Sequence, residues 1–228
     1  MKICLYTCIF GDYENLNNHI KFDNLDYILF TDNKELKSDL WKIIYIENTE
    51  KVPPAIFYKK IKSFPNIYLS EYDLTIWLDA NFIIKNDIFL DYILDNFKDN
   101  KILLYKHYCM AGFHRDCAYT EGEYSKTIPK YKNEKIDEQL NNYKNDVFPE
   151  HFGLFQSGFL LRNNRDEEVI NFNTLWYDEI IKYSVKTPQC QISLPYVLWK
   201  TKIKFNTLKG IMWDFNIFTI NNHKHTTY

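Results

Sequence analysis

The chain has 228 residues, a net charge of −2, and is 46% hydrophobic and 25% charged. That length buries one sizeable core and fits a single domain over residues 1–228, with the composition of a soluble globular protein. The charge balance leaves no basic footprint for nucleic acid, and no apolar run is long enough to cross a bilayer.

Residues Lys2 to Phe10 read as a strand closed by a Gly11-Asp12 break. Leu25 to Asp32 is a second strand, ending on a carboxylate, and Trp41 to Ile46 a third. Pro53-Pro54 opens an amphipathic helix that runs to Phe64, with proline where a helix start tolerates it. Lys59 and Lys62 share one face of it at i,i+3. Leu74 to Leu78 is an apolar run of buried-strand length that stops abruptly at Asp79-Ala80-Asn81, and Phe82 to Ile84 follows at once. A helix is predicted over Asp87 to Phe97 and a strand over Lys101 to Lys106. The stretch 107–149 is polar and irregular, broken by one amphipathic helix near Glu134 to Tyr143. It is too long for a simple connection, and insertions of that length in a compact domain are usually functional. Gly153 to Arg162 is a strand, Asp166 to Tyr183 a helix with Asp166 near its start, and Gln189 to Trp199 a short helix. A strand is expected after Lys202, before the tail Asn221-Asn-His-Lys-His225.

Asp79 carries the most information. Ligands of open α/β sheets sit outside the carboxyl ends of the strands. A carboxylate flanked on both sides by core-like sequence is costly unless a metal or ligand relieves it. The plainer alternative is a residue that caps the next turn. Asn81 adds a neutral oxygen one residue further on.

The ordered set Tyr6-Thr7-Cys8-Ile9-Phe10-Gly11-Asp12-Tyr13, Tyr27 to Asp32, Lys59-x-x-Lys62, Glu71 to Asn81, His114 to Glu121, Gly153 to Gln156 and Gln191 to Tyr196 resembles the GT-A class of nucleotide-sugar glycosyltransferases. More narrowly, it resembles a glycosyltransferase-like family long catalogued as a domain of unknown function, with plant and bacterial members. The resemblance covers nearly the whole chain. It implies an α/β, Rossmann-like fold with a central mixed, mostly parallel sheet flanked by helices. Residues 1–85 would be the nucleotide-binding half, and 107–228 the acceptor-side half and tail. The implied donor is a nucleoside-diphosphate sugar, UDP-linked, and the acceptor a glycan or lipid-linked glycan in surface polysaccharide synthesis. The chain departs from the family in having Cys190 where an acidic residue is usual and Gln156 where Glu is usual.

On this reading Tyr6, Thr7, Asp32, Lys59, Lys62 and Asp79 hold the donor. The chain has only six glycines, and none form a phosphate cradle. Charge on the diphosphate must then be met by Mn²⁺ or Mg²⁺, by Lys59 and Lys62, or by a late histidine. The expected metal ligands are Asp79, Asn81 and His223, with His225 the alternative to His223. His114, Arg115, Glu121, Gln156 and Gln191 are the candidate catalytic residues. An inverting enzyme needs a base, for which Glu121, Asp116 and Glu150 are available. Tyr108, Phe113, Tyr119 and Tyr124 are candidates for stacking on a sugar. Three arginines stand among 25 lysines, which makes each informative as a planar, bidentate donor. Arg115 is the first candidate for an anion contact and Arg162 the second, while Arg165 reads as a surface residue.

The five cysteines, with no signal-like leader, point to a reducing cytoplasm, with peripheral attachment to the membrane as an expectation from lysine and aromatic content. His107-x-Cys109…His114-x-x-Cys117 has zinc-binding residue types at an uncommon spacing, weighed against scattered loop residues. Non-catalytic nucleotide or glycan binding, and metal-dependent hydrolysis, are the rival functions. If Asp79 holds the metal and ribose, Asp79→Ala should abolish transfer and leave the fold largely intact.

Overall fold

The computed structural model describes residues 1–107, 115–210, 212 and 216–224. A seven-stranded sheet has the order β3-β2-β1-β4-β7-β6-β8. Its strands are β1 (Ile3–Ile9), β2 (Asp26–Thr31), β3 (Lys42–Tyr45), β4 (Leu74–Leu78), β6 (Ile102–Lys106), β7 (Phe155–Asn163) and β8 (Phe205–Leu208). All neighbours are parallel except β7, which runs antiparallel to β4 and β6. The fold is therefore α/β with a mixed, mostly parallel sheet flanked by helices. A second sheet pairs β5 (Phe82–Ile84) with β9 (Phe218–Ile220).

β1 and β4 are buried at every position, because both sheet faces are covered. Side chains alternate between faces with period two. Tyr6, Trp77, Leu104 and Leu160 enter one core with Phe57, Ile61, Phe172, Trp176 and Val197. These come from α1 (Pro54–Ser63), α6 (Glu167–Lys182) and α7 (Cys190–Thr201). Leu5, Ile76, Leu78, Phe159 and Leu161 enter the other with Phe89, Ile93 and Phe97 of α3 (Phe89–Phe97). A single turn, α2 (Pro65–Tyr68), follows α1. Asp166 caps α6, accepting from the amides of Glu168 and Val169, as its place before a helix predicts.

The region expected to hold one helix holds two. α4 (Ala118–Lys126) precedes α5 (Ile136–Asn145), with a 3-10 turn at Pro129–Tyr131 between them. α4 packs on α5 and α7, and its buried face is Ala118, Tyr119, Glu121, Gly122 and Ser125. That face is small and polar, without the apolar stripe that marks a helix in sequence.

The strand order reverses about β1 and β4: the chain builds outward through β2 and β3, then returns to place β4 on the other side of β1. The crevice at the carboxyl ends of two such strands is where α/β sheets bind ligands. β1 leads into Gly11 there and β4 into Asp79.

Candidate active site

Asp79 stands at that switch point. Its Oδ1 accepts from Lys62 Nζ at 3.1 Å and from Trp77 Nε1 at 2.7 Å. Its amide donates to the Gly158 carbonyl of β7 at 2.9 Å. Lys62 is 1% exposed and the Asp79 side chain 38%, so the ammonium lies beneath a carboxylate that opens to solvent. Burial pushes the Asp79 carboxyl up, but Lys62, Lys59 and the two hydrogen bonds outweigh it and hold the carboxyl below its ordinary value. Oδ2 lies over Gly158, where a Cβ would come within 3.2 Å of it. Glycine keeps that approach clear.

Lys59 is also buried, and its Nζ donates to Cys190 Sγ at 3.0 Å. Cys190 Sγ lies 3.3 Å from Ser157 Oγ. Burial raises the Cys190 thiol, and the Lys59 and Lys62 charges more than reverse it, leaving the thiol below its usual range. The departure at this position has thus put a second acidic group beside a lysine, without a carboxylate. Lys130, half-buried at the 3-10 turn, has its pKa lowered by burial and by the charge of Lys59.

The lysine-bearing helix is pinned from behind by Arg162. This guanidinium is 0% exposed and donates to the carbonyls of Lys62 at 2.6 Å and Ser63 at 3.4 Å, at the end of α1. It also donates to Asn173 Oδ1 at 2.8 Å and to the Tyr6 hydroxyl. A cation at a helix C-terminus satisfies orphan carbonyls and opposes the dipole. Arg162 is a structural clamp, and the anion contact expected of it is corrected accordingly. Tyr6 belongs to the same network: it is 0% exposed, and its hydroxyl donates to the Lys62 carbonyl at 2.8 Å. The structure thus places Tyr6 in the core behind the lysines, away from a ligand-accessible surface.

Thr7 is placed differently. Its Oγ1 is buried without a hydrogen-bond partner, and it lines a small recess with Asn17, His19, Trp41 and Asp79. Asp32 accepts from the Gly11 amide through both oxygens, at 3.1 and 3.0 Å. This fixes the left-handed Gly11 (φ +63°), whose hydrogen atom in place of a side chain leaves room for Pro54.

The tail reaches the same end of the sheet. β9 pairs with β5, and the Asn221 amide donates to the Asn81 carbonyl at 2.8 Å. His223 Nδ1 bonds Glu14, in the loop after β1, and its ring packs on Tyr13. An imidazole held at one nitrogen by a carboxylate presents the other to a metal. The Asn221–Asn81 backbone bond thus ties the segment carrying His223 to the turn that follows Asp79. His225 lies outside the described residues.

Around α4, Arg115 Nε donates to Glu121 Oε2 at 2.6 Å, and the guanidinium lies 4.0 Å from the centre of the Tyr124 ring. Gln189 Nε2 donates to Glu121 Oε1 at 3.0 Å. Glu121 is 0% exposed. Burial raises its pKa, and Arg115 offsets only part of this. Its geometry is that of a group orienting Arg115 and Gln189, with both oxygens engaged, instead of a base facing an acceptor. Gln156 is 5% exposed and its Oε1 accepts from the Met212 amide at 2.9 Å, so its carboxamide oxygen is engaged by backbone distant in sequence. Tyr119 is buried, with its hydroxyl donating to the Phe148 carbonyl, and Tyr124 faces Arg115. His114, Tyr108, Cys109 and Phe113 lie outside the described residues. His107 is 9% exposed, and burial next to Arg115 lowers its pKa to about 4.

A strand-ending acid, a lysine-bearing helix and a mostly parallel sheet flanked by helices make this an α/β protein with a candidate ligand site at its switch point. The chain matches the family model for the TOD1/MUCI70, glycosyltransferase-like domain over residues 1–227 and belongs to that family. Among solved structures, the apo form of WbbM, a bifunctional glycosyltransferase, is similar in fold. It has a TM-score of 0.50 and 11% identity, over 90% of this chain. The chain spans 38% of that protein's length. No curated protein matches it. Among the described residues, no helix is long and apolar enough to cross a membrane.

Proposed function

We propose that the protein transfers a sugar from a nucleoside-diphosphate sugar, UDP-linked, to a glycan or lipid-linked acceptor in surface polysaccharide synthesis. The observation that carries this reading is Asp79 at the β1/β4 switch point, salt-bridged to Lys62 with Lys59 close by. Breaking the glycosidic bond leaves negative charge on the diphosphate, and preorganised cations at that position stabilise it where it develops. Lys59 and Lys62 meet that charge. Arg162 and Tyr6 hold α1 so that both ammonium groups stay aimed at the strand end. Thr7, with its unpartnered hydroxyl, and Asp32, through Gly11, shape the nucleotide side. Residues 1–85 form the donor half, and residues 107–228 the acceptor half. There Arg115, held by Glu121, contacts sugar or acceptor together with Gln191. A Mn²⁺ or Mg²⁺ ion held by Asp79, Asn81 and His223 would supply Lewis-acid stabilisation of the departing diphosphate. Work at the cytoplasmic face of the membrane fits a lipid-linked acceptor.

The burial of Glu121 and the engagement of Gln156 favour one second reading, a member that binds nucleotide or glycan without turnover. Thermal shift with UDP and GDP, with and without Mn²⁺, followed by donor turnover with and without glycan acceptors, separates the two. Stabilisation by UDP with acceptor-dependent release of UDP is the expected result. Stabilisation without release favours the binding reading, acceptor-independent release indicates a hydrolase, and no stabilisation by any nucleotide defeats the donor assignment.

A further inference from the structure

A second group of reactive side chains stands apart from Asp79. Asp116 and Cys117 lie at the entry to α4, and His151 lies in the turn before β7. Asp116 Oδ2 and His151 Nδ1 are 2.5 Å apart. Together with Cys117 Sγ, these donor atoms all lie within 4.8 Å of one another. Among the described residues this is the one group of three His, Cys, Asp or Glu side chains so placed. The thiol is the floor, with Cys117 1% exposed, and the imidazole is the open side, with the His151 side chain 62% exposed. His151 is held in the left-handed region at φ +58°, a conformation that costs a non-glycine residue energy.

We propose that Asp116, Cys117 and His151 form a zinc site that clamps the β7-entry turn to the start of α4. A thiolate, an imidazole and a carboxylate together suit Zn²⁺, while Mg²⁺ and Ca²⁺ take oxygen ligands. Three protein ligands leave the fourth tetrahedral position to water. Zinc–donor lengths of about 2.0–2.3 Å put tetrahedral neighbours about 3.3–3.8 Å apart. Side-chain rotation covers the change: the close Asp116–His151 contact opens and the sulfur moves in. The ion replaces the Asp116–His151 hydrogen bond, and the Cys117 thiol proton leaves to solvent, so binding tightens as pH rises. The clamp joins two segments that serve the acceptor side, since Arg115 immediately precedes Asp116 and Glu121 lies on α4. The competing explanation is an Asp–His ion pair beside a thiol that only caps α4, where Cys117 Sγ lies 3.6 Å from Thr120 Oγ1.

Co²⁺ titrated into the reduced full chain tests this without reference to activity. One equivalent should bind with a thiolate-to-cobalt charge-transfer band, and Zn²⁺ should displace it. Cys117→Ser should abolish the band, and His151→Ala should weaken cobalt binding at least tenfold. Far-UV circular dichroism checks that both variants are folded, and His151 is exposed enough for its removal to spare the core. Absence of the band, or its survival at full affinity in either variant, overturns the site and leaves an ion pair beside a buried thiol.

Discussion

Lys62 and Asp79 depend on each other. Sequence alone suggests that removing the Asp79 carboxylate should cost the fold little, or even relieve it of charge. The structure corrects this, because Lys62 is 1% exposed and loses its counter-charge. Breaking a buried ion pair costs about 3–5 kcal/mol, reduced here because Asp79 itself reaches solvent. Asp79→Ala should therefore lose about 1–3 kcal/mol in urea denaturation as well as donor binding. Adding Lys62→Met should return most of that stability without restoring binding, which separates the structural role of the pair from its functional one. An Asp79→Ala protein that keeps both full stability and donor binding would reduce Asp79 to a turn residue. Arg162 was misread for a related reason. A rare arginine among lysines does signal a need for planar, multidentate donation, but the acceptors are helix-end carbonyls supplied by the fold.

At the scale of elements, the strands and the large helices were legible because their burial pattern is written in residue type. Leu74–Leu78 and Phe82–Ile84 fall where the apolar runs put them. α4 was not legible, because Tyr119 is the one large apolar residue on a buried face otherwise made of glycine, serine, alanine and a glutamate. Its packing rests on Gly122, where a Cβ would sit 2.7 Å from Leu140 Cδ1 of α5. Gly122→Ala should push the two helices apart and cost about 1–3 kcal/mol, the range for overpacking. Thermal or urea unfolding checks this, and Leu140→Ala should cost less in the Gly122→Ala background than in the native chain. Additive losses would mean that α4 yields without touching Leu140. The placement of Asp79 at a strand end and of Lys59 and Lys62 on one helix face was readable because these are local patterns. The roles of Glu121 and Gln156 were not, since their partners are distant in sequence: Gln189 for one and Met212 for the other.

At the scale of the whole molecule, two histidines, one buried and one half-buried, govern the acid side of the stability profile. Burial lowers the His19 pKa to about 4, and its Nδ1 accepts from the Ile84 amide at 3.1 Å. His107 is lowered to about 4 by burial and by Arg115. An unfolded chain protonates both near pH 6.5, so between pH 6.5 and 4 it binds more protons than the folded one. Stability should therefore fall as pH drops through that window, by up to about 1.4 kcal/mol per pH unit for each histidine. Asp79 adds a later loss, since its lowered carboxyl contributes stability above its unfolded value that disappears as pH falls through the folded one. Melting curves from pH 7 to 4 check this, and His19→Gln should flatten the slope. A flat profile in the native chain would contradict the neutral, solvent-shielded state of both rings.

The central claim is that a nucleoside diphosphate is held at the β1/β4 switch point by the lysine face of α1. Calorimetric titration of UDP with Mn²⁺ into the native chain, Lys59→Met and Asp79→Asn tests it most directly. The account predicts saturable binding to the native chain and at least a tenfold loss, about 1.4 kcal/mol, in each folded variant. Binding that is absent from the native chain, or equally tight in both variants, would contradict it.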